Sequence, residues 1–155
     1  MSRRLKQAAL VFVVLLAAAQ VVRPSRATLP TDPARTIQAH ETTRGLAAVL
    51  DRSCGDCHSN NATPSRWYTE VAPLSWLMAY AVTKGRNVVN FSEWASYSPE
   101  QQRILLSLSC QDASEGKMPG AYVRFRSDTR LSAQDVATIC AAARQPDARA
   151  GGATR

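Results

Sequence analysis

Histidine is nearly missing from this 155-residue chain, which holds only His40 and His58. That leaves few groups for moving protons. Cysteine is sparse as well, at four residues. A structural zinc site built on the one close pair would need two more ligands at short spacing, and Cys110, Cys140 and His40 are scattered. No run of alternating apolar and polar residues marks a strand, so the fold class expected is all-α. No internal repeat occurs. Acidic residues are absent from the first 26 positions, where five of the 19 Lys and Arg residues stand. The formal charge of +7 therefore belongs mostly to that leader. The remaining arginines form no stripe, and nucleic acid is not an expected partner.

The leader reads as a basic start, Arg3, Arg4 and Lys6, before an apolar run from Ala8 to Val22 that only Gln20 breaks. A cleaved signal peptide and an uncleaved signal anchor both fit. The anchor is favoured because apolar Val21 and Val22 follow the small residues Ala17, Ala18 and Ala19. Either way the basic end stays inside and the body is exported, to the periplasmic side of a bacterial inner membrane. The organisation expected is 1–23 leader, 24–37 proline-bearing linker, 38–145 folded domain and 146–155 unstructured tail.

Four helices are expected in the body. The first spans about Ala39 to Arg52 and leads into Cys54; the second opens at Pro73 and stops at Gly85. The third starts at Ser98 with Gln101 completing a capping box and ends near Cys110; the fourth is capped by Ser132. Two long irregular stretches, Ser59 to Ala72 and Asn87 to Tyr97, separate them. Loops of that length in a small domain need something to fold around.

Cys54-Gly55-Asp56-Cys57-His58 supplies a candidate, because Cys-x-x-Cys-His is the attachment signature of c-type haem. Two cysteines three apart share one side of a helical turn, so both sulfurs reach the vinyl groups of one porphyrin. The next residue aims its imidazole at the iron. A thioredoxin-like dithiol would want a β-α-β setting that this sequence lacks. One covalent haem c is therefore the expected cofactor, with His58 as proximal ligand. Met118, held before Pro119 in a stretch biased toward extended backbone, is the favoured sixth ligand. His40, Met78 and an open position remain alternatives. Arg86 and Arg66 are candidates for the haem propionates, and Trp94 for the haem pocket. Cys110 and Cys140 are expected to pair as a disulfide in an oxidising compartment.

These motifs together resemble a bacterial haem-binding domain family. The matching residues are Cys54, Cys57, His58, Ser59 and Asn60, then Val71-Ala72-Pro73 with Ser75-Trp76-Leu77, Gly85-Arg86, Asn90-Phe91-Ser92-Glu93-Trp94 and Met118-Pro119. The resemblance implies a membrane-anchored mono-haem, cytochrome c-like domain with Met118 as distal ligand. Its members often carry another Trp before Trp67, an acid at Ala81 and a His at Arg126; this chain departs at all three. The expected function is one-electron transfer with redox partner proteins of the cell envelope. A haem-based sensor or peroxidase-like enzyme with an open sixth position is the alternative, and a module whose partner binds the Trp94 loop is a third.

Overall fold

The computed structural model describes residues 2–22, 28–40, 43–61 and 67–145. Among them are five α-helices and no strand: α1 (Arg3–Ala19), α2 (Leu46–His58), α3 (Leu74–Val88), α4 (Pro99–Ser114) and α5 (Ala133–Arg144). Arg66 and the tail beyond residue 145 lie outside the described residues.

Capping residues decide most boundaries. Ser98 and Ser132 each accept from the backbone three residues on, while Gln101 and Asp135 reach back, so α4 and α5 open with full capping boxes. The helix before the cysteines starts later than its apolar pattern suggests. Gly45 sits at φ +81°, a left-handed conformation that cannot lie inside a helix, and α2 begins only after it. It then continues through the whole Cys-x-x-Cys-His string instead of stopping at Arg52. Gly85 likewise does not end α3, which runs three residues further to Val88.

α4 and α5 pack side by side, and α2 lies against both α5 and α3. Leu46 and Leu50 of α2, Ile139 of α5 and Ile37 are almost fully buried, joined by Val89, Phe91, Trp94 and Ala142. Ile37 comes from the expected linker. Residues 28–37 pack onto the body: the Leu29 amide donates to the Asn60 carbonyl at 3.0 Å, and Arg35 pairs with Glu93 at 2.8 Å. Cys110 and Cys140 are disulfide-bonded with Cα atoms 4.7 Å apart, stapling α4 to α5. Closing a loop of 30 residues this way contributes about 3 to 4 kcal/mol by restricting the unfolded chain.

α1 buries no side chain. At 17 residues it is about 25 Å long. Among the described residues no helix is long and apolar enough to cross a membrane. The polar break Gln20 exchanges two hydrogen bonds with the backbone of Ala72, and the Trp76 indole donates to the Val22 carbonyl at 2.8 Å. The end of α1 is thereby tied to the start of α3.

Candidate haem site

Cys54, Cys57 and His58 occupy the last two turns of α2, so helix geometry alone sets their spacing. Both thiols are free and half-buried. Burial is the main force on them: the Cys54 thiol is pushed up to about 12, with Cys57 adding repulsion, and Cys57 is pushed up to about 11 by burial and then by Asp56. Both therefore stay protonated at neutral pH. Thiolate is the nucleophile. Iodoacetamide at pH 8 should accordingly alkylate Cys54 in the folded, haem-free protein at least ~100-fold more slowly than in urea, read by mass spectrometry. Equal rates would show that the helix leaves the thiol solvated.

His58 is held from α3. Its Nδ1 lies 3.1 Å from the Val89 carbonyl oxygen, and since a carbonyl only accepts, Nδ1 carries the proton. Nε2 then keeps its lone pair. Burial lowers the His58 pKa, opposed by the Val89 and Gly85 carbonyls and by the charge of Asp112 on α4, which favours the neutral ring a metal ligand must be. The approach of α3 that makes this possible depends on Gly85. A Cβ there would lie 2.5 Å from the Cys57 carbonyl oxygen and 3.1 Å from its Cβ.

A polar clamp follows the helix. Asn60, 2% exposed, donates from Nδ2 to the Pro30 carbonyl (3.0 Å) and to Glu93 (3.1 Å) and accepts from Asn90 Nδ2 (2.7 Å). Its amide donates to Ser92 Oγ at 3.0 Å, and Ser59 Oγ donates to the Gly55 carbonyl at 2.8 Å. Ser59-Asn60 and Asn90-Phe91-Ser92-Glu93 are thus two halves of one hydrogen-bonded unit. Thirty residues apart along the chain, they show no local pattern that joins them.

Two of the Arg86 donors reach the end of α2. Its Nε donates to the Ser59 carbonyl at 2.8 Å and its Nη2 to the Asn60 carbonyl at 3.1 Å, so the guanidinium closes the C-terminus of α2. Trp94 sits in the hydrophobic core at 3% exposure, with ring centroids 6.2 Å from Phe91 and 5.9 Å from Tyr97. Phe91 lies between it and the imidazole, 6.0 Å from His58. Trp94 is therefore a support behind His58. Met78 is buried on the inner face of α3, and a ring nitrogen of His40 lies 3.0 Å from the Ala34 carbonyl; both are explained by packing or local bonding.

Met118 follows α4, with its amide donating to the Asp112 carbonyl at 3.3 Å and its side chain 49% exposed. Asp112 is the α4 residue whose charge reaches His58. One and two turns earlier on the same helix stand Leu108 and Ile104, both exposed. Sequence reasoning missed the partners of Asp56: Tyr122 donates to its Oδ2 at 2.8 Å and Arg126 Nη1 at 3.0 Å. The carboxylate between two cysteines was the available signal, since a charge there needs a partner once buried.

Among the described residues no three His, Cys, Asp or Glu side chains gather to hold a bare metal ion. A buried imidazole that follows two free thiols along α2 fits a porphyrin, which brings four of its own iron ligands. The sequence profile of a family described as haem-binding domain matches residues 14–145. No curated protein and no solved structure matches the chain.

Proposed function

The chain belongs to the haem-binding domain family, and we propose accordingly that it is a mono-haem c-type electron carrier whose iron His58 and Met118 would hold. Cys54 and Cys57 would hold the macrocycle by thioether bonds, each formed by adding a thiol across a vinyl group. When bound, the haem supplies a one-electron ferric/ferrous couple. The observation that carries the reading is the His58 Nδ1 bond to Val89, which orients the ring and leaves Nε2 as the donor. Ile104, Leu108 and Met118 are exposed apolar groups that a porphyrin would cover.

The apolar, unburied side chains of α1 and its basic start support a tether to the inner membrane, with the body on the periplasmic side among redox partner proteins of the envelope. The alternative, a sensor or peroxidase-like enzyme, requires a distal proton handler. Position 126, where the resemblance expects histidine, holds an arginine paired with Asp56 and Asp128.

Met118→Ala is the test. The ferric protein should lose the weak far-red band that marks iron–thioether coordination, and its reduction potential should fall by on the order of 100 mV. It should also gain binding of cyanide and CO. A parent protein that is high-spin, binds CO readily and is unchanged by the substitution would leave the carrier reading without a distal ligand. Haem lost into acidified acetone would remove the covalent assignment.

A further inference from the structure

Met118 is not fixed by burial. Half its surface is exposed, and its one backbone bond at 3.3 Å is long. Whatever holds the loop must act from its flanks. On the α4 side that is the turn on Asp112, which also accepts the Lys117 amide at 2.9 Å. On the other side, two side chains four and eight residues beyond Met118 reach back to α2. Both land on Asp56 Oδ2, which accepts from the Tyr122 hydroxyl at 2.8 Å and from Arg126 Nη1 at 3.0 Å.

This cluster has the properties of a specific fastening. The Arg126 and Asp56 side chains are 18% and 10% exposed, so their attraction is weakly screened and either one alone would be a costly buried charge. Arg126 also donates Nε and Nη2 to Asp128 at 3.0 and 2.7 Å. A planar fork serves two carboxylates at once, which an ammonium point charge does not reproduce. Fully buried Thr129 donates to the Arg126 carbonyl at 2.7 Å and fixes the backbone that carries the guanidinium.

We propose that Asp56, Tyr122 and Arg126 form a latch that fastens the Met118 segment to the haem-attachment helix, so that latch strength sets how readily a small ligand reaches the sixth coordination position. The proposal rests on the reading of Met118 as distal ligand. Tyr122 and Arg126 are positioning residues; neither touches iron. The chemical class that the latch excludes is the small neutral nitrogen donor, of which imidazole is the usable probe. An open fraction raised by a weakened latch multiplies the apparent affinity by the same factor.

The experiment uses full-length holoprotein. Imidazole is titrated into the ferric form of the parent, Tyr122→Phe, Arg126→Gln and Ser132→Ala, with amide hydrogen exchange followed over residues 119–126. Ser132→Ala removes the α5 cap, so it lowers global stability without touching the latch. Tyr122→Phe loses one hydrogen bond to a charged group and should raise imidazole affinity about tenfold and speed exchange at the Tyr122 and Arg126 amides. Ser132→Ala should match the parent in both. Should Arg126→Gln fail to accumulate, Tyr122→Phe decides alone. The latch is overturned if Tyr122→Phe matches the parent, or if Ser132→Ala opens the site equally. If Met118→Ala leaves the ferric spectrum unaltered, the ligand reading has failed instead, and exchange over 119–126 still shows whether the segment was fastened.

Discussion

Gly85→Ala should cut haem incorporation to less than about a tenth of the parent and lower apoprotein stability by about 1 to 3 kcal/mol, as an overpacked contact does. Two effects oppose each other at this position. In an isolated helix, alanine in place of glycine is worth about 1 kcal/mol of stabilisation. In α3 the added Cβ would stand 2.5 Å from the Cys57 carbonyl oxygen and 3.0 Å from its carbonyl carbon. Those are backbone atoms of another helix, so no side chain can turn aside and the helices must separate. Separation also stretches the bond from His58 Nδ1 to Val89, four residues further on and just past the end of α3. Haem content is read as the pyridine haemochrome per mole of protein, and stability from urea unfolding followed by far-UV circular dichroism. Parent values in both would show that α2 and α3 tolerate a wider spacing and that the contact is incidental.

Asn60→Ala should cost roughly 2 to 3 kcal/mol, a drop in Tm on the order of 10 °C. The side chain is 2% exposed and makes three bonds, to the Pro30 carbonyl, to Glu93 and from Asn90. Alanine removes the partner of three groups, of which the Pro30 carbonyl belongs to an exposed residue and Asn90 and Glu93 are partly buried. Each unsatisfied group carries about 1 to 3 kcal/mol, and the half-exposed Glu93, which keeps its pairing with Arg35, falls at the low end. Asn60→Asp should be no better, because it exchanges the donor for a negative charge beside Glu93. Thermal unfolding of the haem-free protein isolates this effect from coordination. A loss under about 0.5 kcal/mol would mean that the clamp is solvated and that its residues serve some other purpose.

Both substitutions sit outside the attachment string, and both act on it through α2. The string itself was legible because its chemistry is local: three side chains within five consecutive residues need only a helical turn to share a face. The capping boxes at Ser98 and Ser132 were legible for the same reason. Each is complete within four residues of chain.

Readings that depended on long-range partners fared differently. Gly85 looks like a stop signal because glycine usually is one at a helix end, yet here it permits a close crossing. Arg86 looks like a carboxylate binder because guanidinium generally is one, and two of its donors also reach backbone carbonyls 26 and 27 residues away. Trp94 looks like a pocket aromatic, and becomes core because Phe91 stands between it and His58. Residues 28–37 have the composition of a linker, but Ile37 and the Leu29 amide find partners in the body.

The sequence by itself determined the helical class, the Cys-x-x-Cys-His string and the capped starts of α4 and α5, since each is written in residues that are neighbours along the chain. Only the tertiary structure decided what surrounds that string: the carbonyl that orients His58, the glycine that admits α3, the clamp around Asn60 and the carboxylate of Asp56 that ties in the Met118 segment. Those contacts join residues 28 to 70 positions apart. Hydrogen-bonding capacity is the same for a side chain wherever it stands, so its partner is chosen by the packing of helices, which no local pattern encodes.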